Sequence, residues 1–244
     1  MNLTETNIRE KEFHNKLHSS DNPRPQNKYY KALNNLYEDF LIFLKNKAPN
    51  KNVLDFGCGN GVYSEKIIDF NPSKLIAIDI SEKSIEIAKN KCDNKIDFKV
   101  ENCENTKLNS NSFDIIYGVG ILHHLNFNKA VKEMERLLKK DGNLIFVEPL
   151  GTNPIINLYR KFTPNARSDD EHPLTFSDIR YFKSLFGKVK ISYYGFLTLI
   201  FFSLYKSPKN SKIFYFLSKI DRILFTIPFL KFLAWSVLIE AKKN

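Results

Sequence analysis

A chain of 244 residues, 43% of them hydrophobic, suits one domain with additions and can bury most of the surface its unfolded form exposes, so folding requires neither a metal nor a disulfide framework. Its three cysteines, Cys58, Cys92 and Cys103, are an odd number without CxxC or Cys/His ligand spacing, which opposes a secreted disulfide scaffold and favours a reduced, cytoplasmic compartment. The net charge of +10 favours polyanions or an anionic membrane face, but lysine is spread along the whole chain and charge alone decides nothing.

The opening Met1-Asn2-Leu3-Thr4-Glu5 lacks a basic segment followed by an apolar one, so no export signal is expected. Residues 1–50 read as a polar helical cap, broken at Asn22-Pro23-Arg24-Pro25. Beyond the break Tyr29, Tyr30, Leu33, Leu36, Tyr37, Phe40 and Leu44 recur at three- and four-residue steps, the pattern of a helix that packs on a sheet. Strands are then predicted at 52–56, 75–79, 96–100, 113–117 and 143–148, with helices at 61–70, 82–91 and 128–140; Gly142 is the expected stop of the last helix. Such alternation argues for a parallel sheet covered on both faces.

In such sheets ligands bind beyond the carboxyl ends of the strands, so each strand end is a candidate site. The first runs Val53-Leu54-Asp55-Phe56-Gly57-Cys58-Gly59-Asn60-Gly61, an apolar run ending in an acid and a glycine turn whose backbone can lie against a ligand. A dinucleotide fingerprint would need a glycine where Val62 stands, and Asp55 would repel a pyrophosphate; an acid suits a ligand with an ammonium group. Cys58 reads as a small residue that fits the turn. The second strand ends in Asp79-Ile80, eighteen residues after Gly61 (79 minus 61), where a carboxylate can accept both ribose hydroxyls of an adenosine. Glu101-Asn102-Cys103-Glu104 follows the third strand. Phe113 to Gly118 and Ile121-Leu122-His123-His124-Leu125 mark the fourth, and Leu137 to Pro149 the fifth.

These ordered blocks, covering roughly residues 50–150, resemble the class I S-adenosylmethionine (SAM) dependent methyltransferases, specifically the small-molecule and lipid branch that includes ubiquinone- and menaquinone-type enzymes. The resemblance implies an α/β, Rossmann-like seven-stranded sheet with helices on both faces, an N-terminal helical cap over 1–50, a SAM-binding core over 51–150, and a unit over 151–244 with a hydrophobic helical insertion before the last strand. The final hairpin would use Val189 to Tyr193 and Trp235 to Ala241. SAM would lie against Asp55, Gly57, Cys58, Gly59, Gly61, Asp79, Ile80, Asn102, Cys103 and Gly118, with Tyr30, alongside Tyr29, capping it from the N-terminal helix. The family's Asp-Ala-Glu is here Asn102-Cys103-Glu104, so the adenine contact would come from an amide without the acid's charge.

An oxygen or carbon acceptor usually has to lose a proton, and His172 is the preferred base candidate, within Arg167-Ser168-Asp169-Asp170-Glu171-His172-Pro173-Leu174, followed by His123 and Glu148. No metal is expected, since acids and histidines lack a helix-borne ligand spacing; Asp169, Glu171 and His172 come nearest to one.

Residues 196–233 are rich in aromatic and aliphatic side chains, but Lys219, Asp221, Arg222, Pro228 and Lys231 interrupt them, which argues against a membrane span. Ile213, Phe214, Phe216, Leu217, Ile220, Ile223, Leu224 and Phe225 can share one broad helical face opposite Lys212, Lys219 and Arg222. That face suits peripheral contact with the inner membrane face, a lid over a lipid-like acceptor, or packing on the sheet or a second subunit in a homodimer. The reading is methyl transfer to a small-molecule or lipid-like acceptor, preferably at oxygen. Its rivals are a nucleic-acid methyltransferase and a non-catalytic SAM-binding, membrane-associated protein. Gly118-Val119-Gly120-Ile121 stands where a base-flipping enzyme would carry an Asp/Asn-Pro-Pro-aromatic turn, so a nucleic-acid partner is not expected.

Overall fold

The computed structural model describes residues 3–19, 28–163, 168, 170–205 and 207–244. The Asn22 to Pro25 break, Arg167 and Asp169 lie outside the described residues. Helix α1 (Glu5–Ser19) is followed by a 3₁₀ turn, Lys28–Leu33, and α2 (Asn34–Lys47). The alternating core runs β1 (Asn52–Phe56), α3 (Val62–Ile67), β2 (Lys74–Asp79), α4 (Glu82–Lys91), β3 (Ile96–Val100), β4 (Phe113–Val119), α5 (Phe127–Leu137) and β5 (Leu138–Pro149). Then come α6 (Pro154–Phe162), α7 (Phe176–Leu185), β6 (Lys188–Tyr194), the short α8 (Leu197–Ile200), α9 (Lys212–Leu224), a 3₁₀ segment Pro228–Leu233 and β7 (Ser236–Lys242).

The seven strands form one sheet in the order β3-β2-β1-β4-β5-β7-β6, with β7 antiparallel to both neighbours. Period-two alternation divides the strand side chains between two cores. Leu54, Phe56, Ile76, Ile78, Ile116 and Phe146 meet Val131 and Met134 of α5 and Phe182 of α7 on one face. Val53, Leu75, Ala77, Ile115, Tyr117 and Ile145 meet Leu36, Phe40 and Leu44 of α2 on the other. Strand order reverses between β1 and β4, so the carboxyl end of β1 opens into the crevice where doubly wound sheets hold ligands.

Two sequence expectations change. Helix α5 stops at Leu137 rather than continuing towards Gly142, because Leu138 is wholly buried and already pairs with Phe113 of β4. The register then shifts, and Asn143 pairs with Ile115, leaving Lys139 to Gly142 in an irregular strand start.

The apolar face of α9 is also divided. Phe214, Leu217 and Phe225 are buried, whereas Ile213, Phe216 and Ile223 are exposed, Phe216 by 63%. The cause is Asp221, which the sequence reading treated as an interruption. Its buried carboxylate accepts the backbone N–H groups of Phe196, Leu197 and Thr198 (3.3, 2.8 and 3.2 Å) and the Thr198 hydroxyl (3.0 Å). These donors open α8, so the polar residue turns inward and rotates part of the apolar stripe outward. Removing the carboxylate leaves several buried donors unpaired. Asp221→Ala should therefore lower stability by roughly 2–4 kcal/mol, read as a lower urea midpoint with unchanged slope.

Candidate active site

Beyond β1, the turn after Phe56 is pinned to the neighbouring strand: the Gly57 and Cys58 N–H groups both donate to the Ile78 carbonyl, at 2.9 and 2.8 Å. Gly57 has φ +82°, and a Cβ there would fall 2.3 Å from Ile121 Cγ1, so no other residue fits without moving the post-β4 turn. Gly59 differs, because a Cβ would meet nothing within 4 Å. Its N–H donates to Asp79 Oδ2 (2.8 Å), while Asp79 Oδ1 accepts from Ser81 N (2.9 Å). Asp79 thus stiffens the glycine turn and keeps lone pairs for further donors.

The turn opens onto a cavity of about 280 Å³, near the lower end of small-ligand sites. Asp55, Gly57, Cys58, Gly59, Asp79, Ile80, Asn102 and Cys103 all line it. Asp55 is 2% exposed and accepts from Ser64 Oγ (2.5 Å) and Tyr117 Oη (2.7 Å) on the same oxygen. Burial, helped by the Asp79 carboxylate, pushes its pKa up to about 7 against these two hydrogen bonds. Two acids facing one enclosure without a cation between them fit a ligand carrying positive charge. An amino-acid ammonium beside a sulfonium matches that need, and hydroxyls suit Asp79.

Other sequence candidates lie elsewhere. Gly61 caps α3 and packs against Cys92, and Gly118 lies under Phe146 and Ile121; neither lines the cavity. Tyr30 is half exposed and stacks on Trp235 at 5.3 Å, and Tyr29 meets Phe202 and Tyr159, so these two rings belong to the C-terminal apolar layer rather than to the cavity. His172 is exposed and meets the site region through its backbone N–H, which donates to the His123 carbonyl at 2.7 Å. Glu148 is wholly buried behind the lining. One of its oxygens accepts from Ile121 N and Leu122 N (2.9 and 2.8 Å) and the other meets His123 Nδ1 at 2.7 Å. This pair holds the turn Leu122–His124 in place and does not reach the cavity.

The wall opposite the glycine turn comes from α1, through Asn7, Glu10 and His14, and from His124. Sequence reasoning identified a cap but not Asn7, Glu10 or His14. Asn7 links to both Glu104 (3.0 Å) and Asn102 (3.1 Å), placing α1 over the end of the cavity that the β3 turn supplies. Asn15 accepts from Ser81 Oγ at 2.6 Å, and Arg9 grips Asp170 through two nitrogens at 2.7 and 2.8 Å. The helix is therefore held largely by polar contacts.

Residues 54–146 match the family described as "Methyltransferase domain". A ubiquinone biosynthesis O-methyltransferase from Pelagibacter ubique is 39% identical over 122 residues, 48% of this chain and 49% of that protein. Geranyl diphosphate C-methyltransferase from Streptomyces coelicolor, solved with Mg2+, geranyl diphosphate and S-adenosyl-L-homocysteine, superimposes with a TM-score of 0.68 at 13% identity over 99% of this chain and 98% of that one. The N-methyltransferase NodS from Bradyrhizobium japonicum, also with S-adenosyl-L-homocysteine, gives a TM-score of 0.62 at 14% identity over 96% and 98%. The chain thus carries a methyltransferase-domain match over residues 54–146, on the fold that these two solved methyltransferases share. It spans about half the length of the curated relatives it matches.

Two outcomes follow for the domain's glycine turn and its acid. Gly57→Ala should cost several kcal/mol, since both φ and Ile121 oppose it, whereas Gly59→Ala should cost only about 1–2 kcal/mol of backbone strain, compared by urea unfolding. Asp55 titrates higher in the folded than in the unfolded state, so its contribution should fall as pH rises from about 4 to about 7 and then stay level. In Asp55→Asn that component of the stability-versus-pH curve should vanish; a curve identical to wild type would mean the carboxyl is not held as described.

Proposed function

We propose that this chain transfers the methyl group of SAM to a hydroxyl oxygen of a small-molecule or lipid-like acceptor. The observation that carries the reading is the single cavity joining Asp55, the glycine turn, Asp79 and Asn102 at the reversal of strand order. The bound donor supplies an electrophilic methyl carbon: the acceptor oxygen forms the C–O bond as the C–S electron pair returns to sulfur and the sulfonium becomes a neutral thioether. Asp55 offers its carboxylate to the cationic end, Asp79 its free lone pairs to hydroxyls, and Asn102 an uncharged amide to the base. Helix α1 closes over them and excludes water, so the main catalytic contribution is positioning. The acceptor's proton passes to a group on the α1 wall, since His172, His123 and Glu148 all lie off the lining.

A second observation favours a lipid-like acceptor or a membrane contact. Phe162 on α6, Leu204, Phe216 and Ile223 around α9, and Phe229 are each more than half exposed. All belong to segments that leave or enter the sheet at the strand edge where the cavity opens. Lys212, Lys219, Arg222 and Lys231 accompany them, which suits a shallow hold on an anionic bilayer. No helix among the described residues is long and apolar enough to cross a membrane.

Incubation with SAM and a lipid extract should yield a product heavier by one methylene, and Asp55→Asn or Asp79→Asn should reduce the rate by at least about tenfold. A complete extract that yields no methylated product and no S-adenosylhomocysteine would remove the catalytic reading. Wild-type protein should float with anionic vesicles and be released by salt, while Phe216→Asp/Phe229→Asp should stay in the soluble fraction with its methyl transfer to a water-soluble acceptor intact. Equal distribution of the two proteins would remove the membrane contact.

A further inference from the structure

We propose that Glu10, His14 and His124 form a site for a divalent transition-metal ion of borderline hardness, such as zinc or cobalt, on the α1 wall of the cavity. This goes beyond the methyltransferase reading, and the ion's binding can be measured without any methyl donor.

The three side chains come from two segments far apart in the chain, α1 and the turn Leu122–His124, and all three line the cavity. Their ligand atoms, one carboxylate oxygen and two imidazole nitrogens, lie within 4.8 Å of one another. Glu10 Oε2 stands 3.1 Å from His124 Nδ1 and 3.7 Å from His14 Nε2. Ligands held at the usual zinc distances of about 2.0–2.2 Å in a tetrahedron are roughly 3.4 Å apart, so the spacings bracket those of a bound ion.

The second observation concerns satisfaction of buried polar atoms. Glu10 is 4% exposed, and both its Oε2 and His124 Nδ1 are buried without a hydrogen bond, although they face each other. Their contact is short but misaligned for N–H···O, the arrangement expected when two lone pairs converge on a third point. A cation there satisfies both. Surrounding contacts orient the donors as outer-shell partners do: Ser168 Oγ donates to Glu10 Oε1, and Glu148 fixes the turn that carries His124. Three protein ligands leave coordination positions open towards the cavity, the pattern of a site that meets water or a substrate oxygen rather than a closed structural centre. A neighbouring trio, His123, His124 and Glu171, also brings ligand atoms together, but Glu148 already engages His123 Nδ1 and neither His123 nor Glu171 lines the cavity.

The untagged 244-residue chain, stripped with a chelator, should take up one Co2+ per chain with visible d–d bands of a four- or five-coordinate site, and zinc should displace it. Glu10→Gln, His14→Ala and His124→Ala should each weaken binding by roughly tenfold or more. Glu171→Gln should leave it unchanged. An unchanged far-UV circular dichroism spectrum and a cooperative urea transition in each variant separate a lost ligand from a lost fold. Absence of the bands in wild type, their persistence in Glu10→Gln and His14→Ala, or their loss only in Glu171→Gln would overturn the proposal.

Discussion

Two carboxylates, Asp55 and Asp79, face one small enclosure, and no lysine or arginine stands among the described residues that line it. Much of the molecule's architecture serves to hold that arrangement. Tyr117 on β4 and Ser64 on α3 donate to Asp55 from two directions, and the peptide groups of Gly59 and Ser81 fix Asp79. The Asp55 carboxyl nonetheless titrates near neutrality, because two hydrogen bonds do not replace the water lost on burial beside a second acid. The strain is resolved by a cationic ligand, and this electrostatic demand distinguishes the site from a phosphate-binding glycine turn.

The parallel sheet makes the arrangement possible. Adjacent strands β1 and β2 end side by side, with Phe56 opposite Ile78, so two acids at the ends of separate sequence blocks become neighbours. The reversal of order at β4 leaves the crevice open above them, and α1 folds back to cover it. Late segments attached to β5, β6 and β7 build the apolar rim on the same edge. The glycine turn with its two acids and the exposed apolar side chains thus belong to different parts of the chain.

The glycine turn, Asp79, Asn102 and Cys103 were legible because strand-turn chemistry is local: an apolar run, its terminal acid and the following glycines dictate their own geometry. Side-chain direction beyond the strand ends was not. His123 and His124 are adjacent, yet one turns to Glu148 and the other to the cavity, a choice made by a carboxylate twenty-five residues from His123. Asn7, Glu10 and His14 carry no motif and reach the cavity only by contacts nearly a hundred residues long. In α9, hydrophobic periodicity described the helix but missed its orientation, since the capping demand of α8 drew Asp221 inward.

The most direct test of the electrostatic claim is isothermal titration of the full chain with SAM between pH 6 and 8 in two buffers of different ionisation enthalpy. Binding of about one molecule per chain should release protons at pH 6, as the cation forces Asp55 to ionise, and the release should fade above about pH 7. Affinity should rise with pH over the same interval and lose that dependence in Asp55→Asn. Absence of heat with this compound, or binding that takes up or releases no protons at any pH, would contradict the account.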